Sequence, residues 1–315
     1  MKENKNLICV PFAYDYKAES GVNLTSNKIK RLEYYFKNLC VSLVSAKKHN
    51  QEDDVALITN LNEDIIEKEY IKILNKNNIK IIYCSFDEFV FQKDYLWNLA
   101  FYKLNILSYL EKNTDYKNIC YMDADVYVQD NFQDIWKECE ENIMLYDINH
   151  GLGTKDYEII CDEFEKFLDK KIYITHFGGE FLAINRKNIG KFIKSLKDVY
   201  NKMLQDNFKT TKGDEFILSI AANENKNIVK NAGAYIYRFW TSLEFRLVST
   251  NYKYNRIVIL HVPSEKQSGM IKIYDKYIKK NKLPKEEKVW RILHLMRPSL
   301  ANRIKYELKK IIRKF

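Results

Sequence analysis

Apolar and polar positions alternate between two periods along this chain. Leu7–Ala13 is a short apolar run of the kind a buried strand shows, whereas from Ile29 the apolar residues at 32, 36, 39, 43 and 46 follow helical spacing. Strand-like Val55–Thr59, helix-like 63–76 and strand-like Ile79–Cys84 come next. Leu96, Ala100, Leu104, Leu107 and Leu110 mark another helix, and Ile119–Met122 a fourth strand that ends at Asp123. The order βαβαβαβ predicts an α/β fold built on a mostly parallel, doubly wound sheet.

Past Asp125 the rhythm changes. Phe132, Ile135, Trp136 and Cys139 predict a short helix capped by Asp130 or Asn131. A strand at Ile143–Ile148, a helix at 158–169 and a strand at Glu180–Ile184, after Gly178-Gly179, follow. Helices near 188–205 and 214–223, strands near 234–239 and 257–262, and a helical tail complete the chain. The expected boundary lies near residue 283, where Pro284 opens a terminal helical segment, 284–315.

Composition supports a folded protein. With 315 residues and 46% hydrophobic content the chain can bury a substantial core, and 14% aromatics argue against disorder. The Lys/Asn/Tyr/Ile bias, with only 9 Gly and 4 Pro, fits an AT-rich bacterial genome, so single Lys or Asn residues carry little weight. Six cysteines form no C-x-x-C pair, and Cys9, Cys84 and Cys120 lie in strand-like runs; buried reduced thiols of a cytosolic protein are expected. The apolar run at the start is too short for a signal peptide. No window approaches the ~18 apolar residues of a membrane span, which predicts a soluble or peripheral protein.

The net charge of +10 is uneven: residues 291–315 hold eight Lys/Arg against one acid, Glu307. Interleaved at spacings of three and four are Ile292, Leu295, Met296, Leu300, Ile304, Leu308, Ile311, Ile312 and Phe315. A basic amphipathic helix of this kind suits a membrane surface; the alternative is a helix packed on the domain with a solvated basic face. The rest of the chain shows no basic patch for nucleic acid.

The chemistry concentrates at Asp123-Ala124-Asp125, where the fourth strand delivers two carboxylates at its C-terminal end, the ligand-binding end of an open α/β sheet. Carboxylates this close repel, and a hard cation such as Mg²⁺ or Mn²⁺, sharing its coordination with substrate phosphates, resolves the repulsion. The bland alternative is two acids at a strand end. A sharper rival is the nucleophile motif of haloacid-dehalogenase-type phosphatases. There Asp123 would attack phosphorus, and Gly213-Asp214-Glu215 would supply later metal ligands. That motif normally follows the first strand of its fold, and here it follows the fourth.

Around this motif the sequence resembles GT-A glycosyltransferases, most nearly family 8 and related bacterial surface-glycan enzymes. The resemblance rests on Phe101-Tyr102-Lys103-Leu104, on Asn118 through Val126, and on Phe132-Gln133-Asp134-Ile135-Trp136. Leu39–Ser45 with Asn50, and His176-Phe177-Gly178-Gly179-Glu180 through Asn185, extend it to roughly residues 7–262. It implies transfer from a nucleotide-sugar, a UDP-sugar by expectation, to a bacterial surface glycan such as lipooligosaccharide, capsule or glycoprotein. Residues 1–130 would be the nucleotide half and 131–283 the acceptor half. The enzyme would lie in the cytoplasm, peripheral at the inner face of the cell membrane. A non-catalytic sugar-nucleotide- or glycan-binding member of the fold is the other class.

The resemblance also implies roles. Asp123 and Asp125 would hold the metal with His261 as third ligand, and Lys266 would reach the diphosphate. Phe12, Ala13 and Tyr14 would lie where such folds hold the base, with Tyr14 stacking on uracil. Gly178-Gly179 would let the donor approach the backbone, or simply form a turn. The family usually has Arg where Lys103 stands, making a phosphate or sugar contact a point charge here. It also usually reads Asn-x-Gly where this chain has Phe177-Gly178-Gly179-Glu180. Asp214 is the candidate for sugar contact and Glu215 the candidate base; both also suit the first turn of a helix. Arg238 and Trp240 are candidates to face an acceptor, with a core Trp as the alternative.

Overall fold

The computed structural model describes residues 5–15, 28–92, 95, 97–149, 155–241 and 257–296, with Leu300, Ile304 and Leu308. The first half follows the expected alternation: β1 (Leu7–Phe12), α1 (Lys28–His49), β2 (Asp54–Thr59), α2 (Lys68–Lys76), β3 (Lys80–Tyr83), α3 (Tyr102–Asn113) and β4 (Asn118–Met122). β5 (Val126–Val128), α4 (Gln133–Cys139), β6 (Ile143–Asp147), α5 (Lys155–Leu168), β7 (Phe177–Asn185), α6 (Arg186–Gln205) and α7 (Asp214–Glu224) follow. The chain continues through β8 (Val229–Asn231), β9 (Ile236–Arg238), β10 (Ile259–His261), α8 (Gly269–Lys280) and α9 (Glu286–Ile292).

A seven-stranded sheet runs in the order β3-β2-β1-β4-β7-β6-β8. The first four strands are mutually parallel, β7 is antiparallel to both β4 and β6, and β6 is parallel to β8, so the sheet is mixed. Side-chain alternation along each strand divides the core. Ile8, Val10, Cys120 and Met122 point into one cluster with α1 and α2; Leu7, Cys9, Ile119 and Tyr121 point into another with α3, α6 and α7. A three-stranded sheet, β5-β10-β9, sits beside the C-terminal end of β4, with β10 antiparallel to β5 and parallel to β9.

Several elements differ from the sequence reading. β7 begins at Phe177, so Gly178 and Gly179 are strand residues rather than a turn before Glu180. β5 and β8 have three residues each, too few to establish a period. α8 has no counterpart among the elements read from the sequence, and beyond Pro284 the side chains of Val289, Leu293 and Leu295 are buried in the same core as β1 and α1. The N-cap of α4 is Phe132 rather than Asp130 or Asn131, although Asn131 Oδ1 accepts the amide of Gln133, the first helical residue, at 3.1 Å. Leu96 lies outside the described residues, as do the tail cations Arg297, Arg303, Lys305, Lys309, Lys310, Arg313 and Lys314. All six cysteines are free, and only Cys161 is not fully buried.

The chain after Asp125 is tied to α1 by side chains that catch backbone amides. Ser45 Oγ accepts from the Val128 amide at 3.0 Å, and Asn50 Oδ1 from the Phe132 amide at 2.7 Å. Asn50 Nδ2 in turn donates to the Ala46 carbonyl at 3.0 Å, fixing the amide's orientation. Removing Asn50 leaves a buried N–H without its acceptor, which costs about 1–3 kcal/mol. Asn50→Ala is therefore expected to lower the unfolding free energy by that amount in urea titrations, with an unchanged denaturant slope.

Candidate active site

β4 is buried throughout and apolar after Asn118, and Asp123 is the first residue beyond it, at the C-terminal end of the parallel strands. Its position is fixed by its own amide, which donates to the Glu180 carbonyl of β7 at 2.9 Å. Asp125 precedes β5, and the β5–β10 pairing sets Val126 opposite His261. The Asp125 carbonyl also accepts from the Val262 amide at 3.0 Å, which extends the pairing with β10 back to Asp125.

That pairing brings three donors together. One ligand atom each from Asp123, Asp125 and His261 lies within 4.8 Å of the others, and His261 Nε2 stands 3.2 Å from Asp125 Oδ2. These three side chains could together hold one divalent cation. Two carboxylates and an imidazole suit a divalent cation.

Two lysines share the carboxylates. Lys266 Nζ lies 3.3 Å from Asp125 Oδ2, and Lys103 Nζ bridges Asp214 Oδ2 at 2.9 Å and Asp123 Oδ1 at 3.5 Å. Burial would raise the Asp125 carboxyl, but Lys266 and His261 outweigh it and hold it well below the usual range. Burial likewise opposes a charge on His261, yet Asp125 and Glu180 raise it to about 9. Lys103 is raised well above its ordinary value because Asp123 and Asp214 overcome its burial.

Asp214 and Glu215 part company. Gly213, at φ +61°, is the N-cap of α7, so Asp214 is not the cap but turns its carboxylate to Lys103. Burial pushes Asp214 up to about 6, with Lys103 resisting and Glu215 adding to the rise. Glu215 Oε2 meets His176 Nε2 at 3.0 Å and its Oε1 meets Arg238 Nη2 at 3.3 Å. Those partners hold Glu215 below the usual range in spite of burial.

A cavity of about 540 Å³ opens over these groups. Phe12, Ala13, Tyr14 and Lys103 line it, with Asp123, Ala124, Asp125, Asp214, Glu215 and Lys266. Tyr14 is largely covered, packed on Phe12 with ring centres 6.5 Å apart. Arg238 and Trp240 also line the cavity, and Trp240 is half exposed rather than a core residue. His261 is buried behind the wall.

Gly178 and Gly179 lie behind it too. A Cβ on Gly179 would fall on the Asp214 carboxylate and Lys103 Nζ, and one on Gly178 on the Glu180 carboxylate and Ile148. Their small size thus makes room for buried ion pairs. The sequence reading did not single out Tyr35, Arg31, Trp97 and Lys212, which also line the cavity. Trp97 adopts a left-handed backbone, φ +69°, and donates its indole N–H to the Thr211 carbonyl at 3.1 Å. Nothing local in the sequence signals that conformation. Glu180 had a visible signal, a lone acid inside an apolar strand.

No family profile and no curated protein matches the sequence. In three dimensions the chain is similar to mouse xyloside xylosyltransferase 1, solved in its apo form, with a TM-score of 0.50 and 10% sequence identity. The likeness covers 82% of this chain and 97% of that one. At this identity it shows the fold: a GT-A-type glycosyltransferase fold.

The raised Asp214 carboxyl has a consequence for stability. Folded, it keeps its proton up to about pH 6; unfolded, it loses it near the ordinary value of about 4. Between those values the folded chain binds more protons, so this group makes stability fall as pH rises. Over about two pH units the loss approaches roughly 3 kcal/mol. Asp214→Asn removes it. Urea unfolding in chelator at pH 4, 5 and 6 is expected to give the variant a more positive stability slope than the wild type.

Proposed function

We propose that this chain is a metal-dependent glycosyltransferase that takes a sugar from a nucleotide-sugar, most simply a UDP-sugar, using Mn²⁺ or Mg²⁺. The observation that carries the reading is the convergence of Asp123, Asp125 and His261 beside Lys266 under a cavity of the GT-A-type fold. Asp123, Asp125 and His261 would hold the cation, which when bound supplies neutralisation of the diphosphate leaving group. Lys266 would turn from Asp125 to the diphosphate. Phe12, Ala13 and Tyr14 would wall the base, and Lys103 would keep Asp214 oriented at the sugar.

The two carboxylates of α7 then take unequal roles. A base works best with a pKa near the operating pH. Asp214, raised to about 6, fits proton transfer or sugar contact better than Glu215, which is held low by His176 and Arg238. Glu215 therefore serves to orient Arg238 and His176 rather than to accept a proton.

For the acceptor we propose a bacterial surface glycan, lipid-linked, reached from the cytoplasmic face of the membrane. The tail supports this. Leu300, Ile304 and Leu308 are helical, spaced by four and so on one face, and 74%, 53% and 54% exposed. Among the described residues no helix is long and apolar enough to cross a membrane. Peripheral attachment suits such a stripe flanked by cations, each worth about 1 kcal/mol near an anionic leaflet.

Two measurements check the reading. Incubation with a panel of nucleotide-sugars and Mn²⁺ is expected to give donor hydrolysis or transfer, reduced at least about 100-fold by Asp125→Ala. Full activity in that variant sinks the metal reading, and donor binding without turnover supports a non-catalytic member of the fold. Phosphate release from a simple monoester without nucleotide-sugar supports the phosphatase rival instead. Separately, the full chain should co-sediment with vesicles rich in phosphatidylglycerol, and a chain ending at Met296 should stay in the supernatant. Equal sedimentation of the two removes the membrane assignment.

A further inference from the structure

Glu180 occupies an expensive position. It lies within β7, where all nine residues are buried, and its side chain has no exposure. A lone carboxylate there would lose its hydration without compensation, a penalty of several kcal/mol. Arg238 supplies the compensation, donating from Nε at 2.7 Å and from Nη2 at 2.6 Å in a bidentate pair. Yet an apolar residue would satisfy the strand without any partner, so the pair calls for another use.

That use is visible in the third contact. Glu180 Oε1 lies 3.2 Å from His261 Nδ1, while His261 Nε2 faces Asp125. The two imidazole nitrogens are thereby divided between partners, Nδ1 facing Glu180 and Nε2 facing Asp125, so a proton kept on Nδ1 by Glu180 would leave Nε2 to a cation. Carboxylates fix metal-binding histidines in this manner elsewhere. Glu180 also works through its backbone, because its carbonyl accepts the Asp123 amide at 2.9 Å. One residue of the large sheet therefore grips the first carboxylate by its main chain and the imidazole by its side chain. Arg238 completes the bridge from the small sheet, where it is the register partner of His261 across β9 and β10. Gly178 leaves the space the Glu180 carboxylate fills.

We propose that Glu180, supported by Arg238, is a positioning residue that sets the ring orientation and tautomer of His261 and its distance from Asp123 and Asp125. The inference rests on reading those three residues as a cation site. It assigns Glu180 no contact with donor or acceptor.

The test is binding of Mn²⁺ alone to the full chain, followed by electron paramagnetic resonance and calorimetry without nucleotide-sugar. Glu180→Gln keeps the shape but loses the charge that holds Arg238 and Nδ1–H. Glu180→Asp keeps the charge but is one methylene too short to serve both. Each is expected to weaken Mn²⁺ binding roughly 10- to 100-fold, with circular dichroism like that of the wild type. A folded variant that binds Mn²⁺ within threefold of the wild type overturns the proposal. Should Glu180→Gln fail to fold, Glu180→Asp decides by the same criterion. If the wild type itself binds no Mn²⁺, the cation reading falls and this proposal with it. If it binds but transfers no sugar, the transferase reading alone is at fault.

Discussion

Buried charge is the constraint on which this molecule turns. Asp125, Glu180 and Asp214 all carry carboxylates with little or no solvent access, in or beside strands and helices that are otherwise apolar. Each needs a counter-charge within a few ångströms, since the interior cannot replace the hydration it removes. The chain meets that need with two neighbouring groups of ion pairs: Arg238 to Glu180, Glu180 to His261, and His261 and Lys266 to Asp125 in one, and Lys103 to Asp214 and Asp123 in the other. Breaking one link leaves the next charge uncompensated, so fold stability and site geometry are properties of the same contacts.

These ion pairs also explain the architecture around them. The small sheet exists to carry Arg238 and His261 to the mouth of the large one, and β5 joins the two by following directly on Asp125. α1 holds that junction through Ser45 and Asn50, which satisfy amides that no strand partner reaches. Gly178 and Gly179 are small because carboxylates pack where side chains would otherwise stand. Lys266 supplies the counter-charge on Asp125, and under the proposed function its ammonium would turn to the diphosphate.

The reading of function gains force from two independent directions. Fold similarity to a xylosyltransferase comes from the backbone path, at an identity too low to carry residue roles. The donor set comes from side chains alone. They meet at the C-terminal end of β4, where open α/β sheets bind ligands. The unequal environments of Asp214 and Glu215 add a distinction that neighbouring acids in sequence do not reveal.

Sequence alone determined the alternating first half of the fold, because strands buried on both faces and helices with one apolar stripe leave plain periods. It also located Asp123 and Asp125, since an apolar strand ending in two acids is unusual chemistry written in adjacent letters. His261 and Lys266 were reachable only through resemblance, and Glu180 was visible as an oddity without a purpose. Tertiary structure decided the rest. Three-residue strands such as β5 and β8 leave no period, and the antiparallel placement of β7 depends on partners distant in sequence. The ion pairs of Glu180 with Arg238 and of Lys103 with Asp214 join residues 58 and 111 positions apart. Charge compensation acts through space, and only the folded chain brings those charges within reach.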